Sequence, residues 1–243
     1  MRHPQIYFDW QILRGESLFL RLTTEGLLKP KHNILGEDIA GQVEAVGVNV
    51  KQFQPPDEVF GISNYGAYAE YRCVAEDKLV QMPANMSFEE AAAIPVAALP
   101  ALQGLHDHGQ IQPGQKVLII GASGGVGTFA LQIAKAFGAE VTAVCSTRKF
   151  DMVRSIGADQ VIDYTREDFT KSGPRYDLIL ANTGARSIFD YKRVLSPEGN
   201  YVCTGGSLTQ YTQAALLGPL ISIMGVRNWV PFWGNQTKKI MVF

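Results

Sequence analysis

The chain has 243 residues, of which 46% are hydrophobic and 19% are charged, and its formal net charge is −1. This length allows one large domain or two smaller ones, and such a chain can bury about 70–75% of its unfolded surface without crosslinks. The near-zero charge gives no electrostatic basis for binding nucleic acid or anionic membranes, so neither is expected as a partner.

Cysteine and histidine are too scattered for a disulfide framework or a metal site. The three cysteines contain no CxxC pair. His106 and His108 alternate within LHDHG, a pattern more typical of a helix end with its loop than of metal ligands. No apolar run reaches membrane-spanning length, and the N-terminus lacks the apolar core of a signal peptide. We therefore expect no metal, no membrane segment and a reducing, cytoplasmic location.

Residues 1–95 are rich in glycine and in short alternating segments, which predicts a β-rich partial barrel. Ser87, with Glu90 three residues later, forms a capping-box pattern that opens a helix over Phe88–Ile94. Pro95 is expected to end that helix, and we place the domain junction there. The strands predicted for this part are Ile39–Gly47, Glu58–Phe60 and Tyr68–Val74.

Residues 96–243 alternate apolar strands with helical segments, the pattern of an α/β domain with a doubly wound parallel sheet. A sixth strand is predicted over Ile240–Phe243, cut off as it begins. The other predicted strands are Val117–Ile120, Val141–Val144, Gln160–Ile162, Leu178–Leu180 and Tyr201–Thr204.

The segment KVLIIGASGGVG, residues 116–127, is an apolar strand followed by a glycine-rich turn that opens an amphipathic helix. Its spacing is Ala122-x-Gly124-x-x-Gly127, with alanine in the place of the first glycine. A strand, turn and helix in this order present backbone N–H groups to the pyrophosphate of a dinucleotide. The alternative is a tight strand–helix connection without a ligand.

The end of the next strand distinguishes between the two nicotinamide cofactors. An NAD site uses an acidic residue about 20 residues after the glycines, on the ribose 2′-hydroxyl. Here Ser146 stands nineteen residues after Gly127, and from the end of the strand at Cys145 no carboxylate appears until Asp151. Arg148 and Lys149 follow, and cations suit a 2′-phosphate. This predicts NADPH rather than NADH, with an ordinary solvated basic turn as the alternative.

Ordered motifs run from Asp9 to Gly206: DWQILRG, LGEDIAGQVEAVG, DEVFG, GAYAEY, PANMSFEEAAAIPVAAL, QPGQKVLIIGASGGVG, GAEVTAVCS, GADQVIDY and YDLILANTG. Together they resemble the medium-chain dehydrogenase/reductase superfamily, in its zinc-independent quinone oxidoreductase (zeta-crystallin-like) branch. The resemblance implies a GroES-like, barrel-like catalytic domain, here partial, followed by a Rossmann domain, with NADPH in the cleft between them.

The resemblance also implies roles for individual residues. It places Tyr164, with Ser146 and Lys149, at the 2′-phosphate, and it places Asn182 and Gly205 near the nicotinamide half. The alternatives are that Tyr164 covers the sheet edge and that Asn182 is a plain turn residue. The residues that the resemblance places at the pyrophosphate are Ser123, Gly124, Gly125, Val126 and Gly127.

The triplet Gly36-Glu37-Asp38 stands where zinc-dependent members carry Gly-His-Glu, and the cysteine cluster of a structural zinc site is missing too. We therefore expect NADPH to transfer a hydride, without zinc, to a small-molecule substrate that is a quinone or an α,β-unsaturated carbonyl. Tyr7, Asp9 and Tyr65 are the candidate catalytic residues, as proton donors or orienting groups. For each, packing within a strand is the alternative.

Compared with the family pattern, the strands ahead of the DW motif and the segment after Phe243 are absent, so we expect a chain truncated at both ends. The alternative function is a catalytically impaired homologue that binds NADPH or a partner chain without turnover. A homodimer is expected from the resemblance. A zinc alcohol dehydrogenase is disfavoured by Glu37.

Overall fold

The computed structural model describes residues 7–14, 31–171, 174–183, 186–205 and 228–231. Contacts divide the described residues into two compact units, the first ending at Val96 and the second beginning at Ala97. Within the described part of the chain, no helix is both long enough and apolar enough to cross a membrane.

The first unit begins with helix α1, Tyr7–Arg14. Its sheet is antiparallel with the order β1-β2-β3. Helix α2, Phe88–Ala92, starts with the predicted capping box, because Ser87 and Glu90 each accept a hydrogen bond from the other's backbone N–H. Phe60 and Val80 face α2 within one apolar cluster. The three strands are β1, Asp38–Gln42, β2, Glu58–Ile62, and β3, Leu79–Gln81.

Several predictions for this unit were wrong in detail. The DW motif lies in α1, so packing within a strand, the alternative given for Asp9, does not apply. Tyr68–Val74 forms no strand, and the third strand of the sheet is β3 instead, which pairs with β2. Strand β1 ends at Gln42 rather than Gly47. Pro95 begins a helix, α3, Pro95–Gln103, since the first helical position needs no N–H donor.

Within the described residues, the second unit holds a six-stranded parallel sheet with the order β6-β5-β4-β7-β8-β9. This is the order 3-2-1-4-5-6 of the Rossmann fold, so the predicted fold class is confirmed. Its helices are α4, Gly125–Ala136, α5, Phe150–Ser155, and α6, Ile188–Val194. Its strands are β4, Lys116–Ile120, β5, Glu140–Cys145, β6, Gln160–Asp163, β7, Tyr176–Ala181, β8, Leu195–Cys203, and β9, Asn228–Pro231.

Alternate residues of the central strand pack on opposite faces of this sheet. Val117 and Ile119 of β4 belong to one apolar cluster with Leu131 of α4. Leu118 belongs to a second cluster with Tyr191 of α6. The continuous apolar run of β4 therefore reflects a strand that is buried on both faces.

The sixth strand lies earlier in the chain than expected. Strand β9 pairs in parallel with β8, with Tyr201 opposite Trp229. The predicted strand over Ile240–Phe243 lies outside the described residues.

The strand order reverses at β4, which lies between β5 and β7. The loops that follow β4 and β7 consequently leave the sheet side by side at its carboxyl edge. In open α/β sheets this switch point is where ligands bind.

Candidate functional site

A tight turn follows β4 at the switch point. Gly121 has a φ of +74°, and the N–H groups of Gly121 and Ala122 donate to the carbonyl of Val144 at 3.1 and 3.2 Å. A Cβ on Gly121 would overlap the methyl group of Thr183 in the loop after β7. The turn is therefore fixed between the end of β5 and the loop after β7.

Gly127 allows helix α4 to begin directly against this turn. A Cβ at Gly127 would overlap the carbonyl oxygen of Gly121 and lie 2.7 Å from Cα of Ala122. Close packing of the protein itself therefore accounts for this glycine.

Gly124 and Gly125 differ, because the protein's own packing does not require them. A Cβ at Gly124 would have its nearest neighbour 3.5 Å away, and a Cβ at Gly125 would have its nearest neighbour 3.7 Å away. Both residues are exposed, whereas Ser123 and Val126 are half-buried. Bare backbone at this point leaves room for a ligand to approach closely.

The start of α4 supplies the donors for such a ligand. Gly124 is the N-cap residue, and the helix start has no side-chain cap. The first N–H groups of a helix lack intrahelical partners and carry its positive end. Residues 123–127 therefore offer backbone donors of the kind that bind a pyrophosphate, and their role at a dinucleotide stays a prediction.

Strand β5 ends beside this turn and leads into a basic segment. Ser146 is the N-cap residue of a 3₁₀ turn over Thr147–Lys149, and its backbone carbonyl accepts a hydrogen bond of 2.9 Å from the N–H of Lys149. Arg148 and Lys149 are exposed, and Ser146 is half-buried. The structure thus groups these three predicted residues within one turn.

Tyr164 follows β6 and is brought to the same edge of the sheet. Its N–H donates to the carbonyl of Cys145, 3.3 Å away, immediately before Ser146. Tyr164 is 56% exposed, so solvent reaches it at this edge of the sheet.

Asp163, the last residue of β6, contacts the basic turn and is not among the residues predicted from the sequence. This buried carboxylate accepts hydrogen bonds from the hydroxyl of Thr147 and from the N–H and hydroxyl of Thr165, the latter two at 2.9 and 2.7 Å. The bonds from Thr147 and Thr165, in that order, lower the pKa of Asp163 to about 2. The Asp-x-Thr spacing in the sequence is a signal for this local turn, although not for the contact with Thr147.

Asn182 lies directly after β7, with its N–H donating to the carbonyl of Ile120 at 3.1 Å. Its Oδ1 accepts the hydroxyl of Thr204 at 2.5 Å, whereas its Nδ2 is buried without a partner. A buried donor without an acceptor is unfavourable, so a ligand oxygen would be a natural partner.

Gly205 lies against Asn182. Its N–H donates to the carbonyl of Ala181 at 3.3 Å, and a Cβ there would overlap the carbonyl oxygen of Asn182. Thr204, between β8 and Gly205, was missed because a threonine at a strand end carries no distinctive sequence signal.

The candidate catalytic residues belong to the first unit, and the contacts of Asp9 and Tyr65 favour structural roles. Asp9 is buried and accepts hydrogen bonds from the N–H of Gly36 at 3.1 Å and from the hydroxyl of Tyr68 at 2.9 Å. Burial and this hydrogen bond raise the pKa of Tyr68 above its ordinary range. Tyr65 has a φ of +75° and stacks on His32 with 4.1 Å between ring centroids. Tyr7 begins α1.

Asp38, at the start of β1, is a second buried carboxylate that the sequence analysis did not propose. Its Oδ1 accepts the N–H of Val96 in the first turn of α3, 2.7 Å away. Burial, helped by the charges of Glu37 and Asp9, raises the pKa of Asp38 to about 7, although the hydrogen bond from Val96 opposes the rise.

A broad cleft of about 1000 Å³ lies in the first unit, with the exposed ring of Tyr71 at its border. Among the residues that the structure describes, no group of three histidine, cysteine or carboxylate side chains is arranged to hold a metal ion. Apolar residues that line the cleft include Ile39, Val43, Val46, Phe53 and Val74.

Two family models match the chain. Residues 5–84 match the alcohol dehydrogenase GroES-like domain, and residues 125–238 match the model described as zinc-binding dehydrogenase. Together these matches include most of the chain.

The chain is similar to known proteins that are named as oxidoreductases or reductases. The chain is 42% identical over 160 residues to mouse NAD(P)H oxidoreductase RTN4IP1, mitochondrial, a match covering 62% of this chain and 40% of the relative. It is 36% identical over 191 residues to tomato (Solanum lycopersicum) 2-methylene-furan-3-one reductase, covering 74% and 48%. The quinone oxidoreductase from Coxiella burnetii superposes with a TM-score of 0.79 at 26% identity, covering 98% of this chain and 73% of that structure. The chain thus spans about half the length of the curated relatives it matches.

Proposed function

Because this chain belongs to the medium-chain dehydrogenase/reductase superfamily, in its zinc-independent quinone oxidoreductase branch, we propose that it is an NADPH-dependent oxidoreductase. Its substrate would be a quinone or an α,β-unsaturated carbonyl. The observation that carries the proposal is the glycine turn after β4, where Gly124 and Gly125 leave an open cradle at the uncapped start of α4.

Each part of the cofactor has a matching surface on the second unit. The N–H groups at the start of α4 would hold the pyrophosphate, and Ser146, Arg148 and Lys149 would hold the 2′-phosphate. Tyr164 would border the same phosphate from the end of β6. Asn182 and Gly205 would border the nicotinamide half at the ends of β7 and β8.

The preference for NADPH over NADH rests on charge. Exposed Arg148 and Lys149 attract a 2′-phosphate. The carboxylate of Asp163 is nearby, but Thr147 and Thr165 take up its oxygens, so it is poorly placed to accept a ribose hydroxyl as the acidic residue of an NAD site does.

When bound, NADPH supplies the hydride for the reaction. The chain's own contribution is to hold the cofactor in one orientation at the carboxyl edge of the sheet and so to fix the position of the reacting carbon. The names of the relatives support an acceptor of this class, since one is a quinone oxidoreductase and another a 2-methylene-furan-3-one reductase. They give no support to the alternative of a homologue without turnover.

The experiment that tests this proposal compares two cofactors and two lysines. We expect Lys149→Ala to weaken NADPH binding about tenfold, measured by intrinsic fluorescence, and to leave NADH binding nearly unchanged. Lys116→Ala is the matched control, because Lys116 is exposed at the start of β4, on the opposite edge of the sheet. Equal weakening of NADPH and NADH by Lys149→Ala would contradict the assignment.

Turnover is tested separately, as NADPH oxidation that depends on an added quinone or enone. Folded protein that binds NADPH but oxidises none with either acceptor would contradict the enzymatic part of the proposal.

The location and the oligomeric state of the protein are proposals as well. We propose a cytoplasmic location, although the mouse relative is named as mitochondrial, and cell fractionation tests it. We also propose a homodimer, which sedimentation of the purified chain tests.

A further inference from the structure

Resting on the proposed function, we propose that Thr204 is a positioning residue for the nicotinamide half of the cofactor. Its hydroxyl fixes the amide of Asn182 so that the NH₂ group faces the ligand and donates to the carboxamide oxygen of the nicotinamide.

The backbones of both residues are held rigidly. The N–H of Asn182 donates to the carbonyl of Ile120 at 3.1 Å, which ties it to β4. The N–H of Thr204 donates to the carbonyl of Ala181 at 3.0 Å, which ties it to β7. The two side chains therefore meet at a place fixed by three neighbouring strands.

The side chain of Thr204 is held as well. A Cβ on Gly104 would lie 3.0 Å from the methyl group of Thr204 and 2.8 Å from Leu180, so this methyl group packs closely over a bare glycine. Packing of the methyl group sets the rotamer and leaves the hydroxyl directed at Asn182, 2.5 Å away.

The direction of this hydrogen bond decides which end of the amide remains available. The hydroxyl donates to Oδ1, which can only accept, and Nδ2 is left buried with two protons and no acceptor. A ligand that satisfies Nδ2 must therefore offer an oxygen acceptor. If the amide of Asn182 were reversed, the oxygen would take the position of the NH₂ group. A ligand group that donates a hydrogen bond would then be favoured.

The strand order identifies which half of a dinucleotide lies here. The two mononucleotide halves of a Rossmann sheet lie on either side of the switch point. Strands β4 to β6 carry the glycine turn and the basic turn, which suit the pyrophosphate and the adenosine 2′-phosphate. Asn182 and Thr204 follow β7 and β8, on the other half, and the nicotinamide carboxamide there has an acceptor oxygen.

The test compares ligands with and without a nicotinamide. Thr204→Val keeps the shape of the side chain but removes the donor, so we expect it to weaken NADPH binding about tenfold. Binding of adenosine 2′,5′-bisphosphate, which has no nicotinamide, should change less than about twofold. Thr204→Ser should keep more NADPH affinity than Thr204→Val, because serine still supplies the hydroxyl, although it lacks the methyl group that fixes the rotamer.

A second variant keeps the test decisive if Thr204→Val does not fold. Asn182→Asp retains an oxygen that accepts from Thr204 but has no NH₂ group, so it should lose NADPH affinity selectively as well. Equal affinities of wild type and Thr204→Val for NADPH, or parallel losses for NADPH and the bisphosphate, would overturn the role of Thr204. Failure of the wild type to bind the bisphosphate would instead contradict the proposed function.

Discussion

Thr147, in the turn after β5, donates its hydroxyl to the carboxylate of Asp163, the last residue of β6. The bond joins two neighbouring strand ends, and the turn that it anchors contains Arg148 and Lys149. A buried anion therefore holds in place a turn whose cations face outward.

Removing this bond should loosen the basic turn. We expect Thr147→Val to weaken NADPH binding about three- to tenfold, with a smaller effect on NADH, as measured by fluorescence titration. Thr170→Val is the control, since the hydroxyl of Thr170 also donates to a carboxylate, that of Asp168, away from the basic turn. An unchanged affinity for NADPH in Thr147→Val would show that the turn is held without this bond.

The same carboxylate should contribute to acid sensitivity. The pKa of Asp163 in the folded protein is about 2, below its ordinary value of 3.8, so its contribution to stability is present above about pH 4 and is lost as the pH falls toward 2. We expect the melting temperature of Asp163→Asn to fall less between pH 5 and pH 3 than that of the wild type. Parallel losses in the two proteins would contradict this assignment.

Two glycines of the turn should respond differently to alanine. Gly127→Ala places a methyl group against the backbone of Gly121 and should destabilise the fold by about 3 kcal/mol, measured by denaturant unfolding. Gly124→Ala should fold normally, because the position is open and its φ of −85° suits alanine. Its affinity for NADPH should nevertheless fall at least about tenfold, since the methyl group occupies the space in which the pyrophosphate would bind. Normal NADPH binding by folded Gly124→Ala would contradict a pyrophosphate at this position.

Asp38 should make the folded protein less stable as the pH rises toward neutrality. Its folded pKa of about 7 lies above the ordinary 3.8, so between these values the folded state holds a proton that the unfolded chain releases. Stability from this group is greatest below pH 4 and is lost as the pH rises through 7. We expect the melting temperature to fall by about 3–6 °C more between pH 5 and pH 8 in the wild type than in Asp38→Asn. The asparagine still offers an oxygen to the N–H of Val96, so an equal fall in both proteins would exclude this carboxyl as the cause.

The sequence was sufficient to predict the architecture of the second unit, because its determinants are local. Val117–Ile120 is an unbroken apolar run, and the glycines after it have a spacing that few other structures require. The first unit was harder to predict. Strand β3 has only three residues and owes its existence to pairing with β2, a partner distant in sequence.

The two side-chain bonds that shape the site could not be predicted. The pair Thr147 and Asp163 is separated by 16 residues, and the pair Asn182 and Thr204 by 22. Neither pair has a periodicity or a motif, because the contact arises only when neighbouring strands align. The pKa of Asp38 likewise depends on burial, which a local pattern does not reveal.

The parallel pairing of β4 through β8 has a consequence for folding. Groups proposed to touch one cofactor come from the ends of five strands, spread from Ser123 to Gly205, so no local segment can bind the cofactor alone. Such long-range pairings form late and slowly. Cofactor affinity therefore reports completion of the whole sheet, and a bound dinucleotide would stabilise against unfolding even those strands that it does not touch.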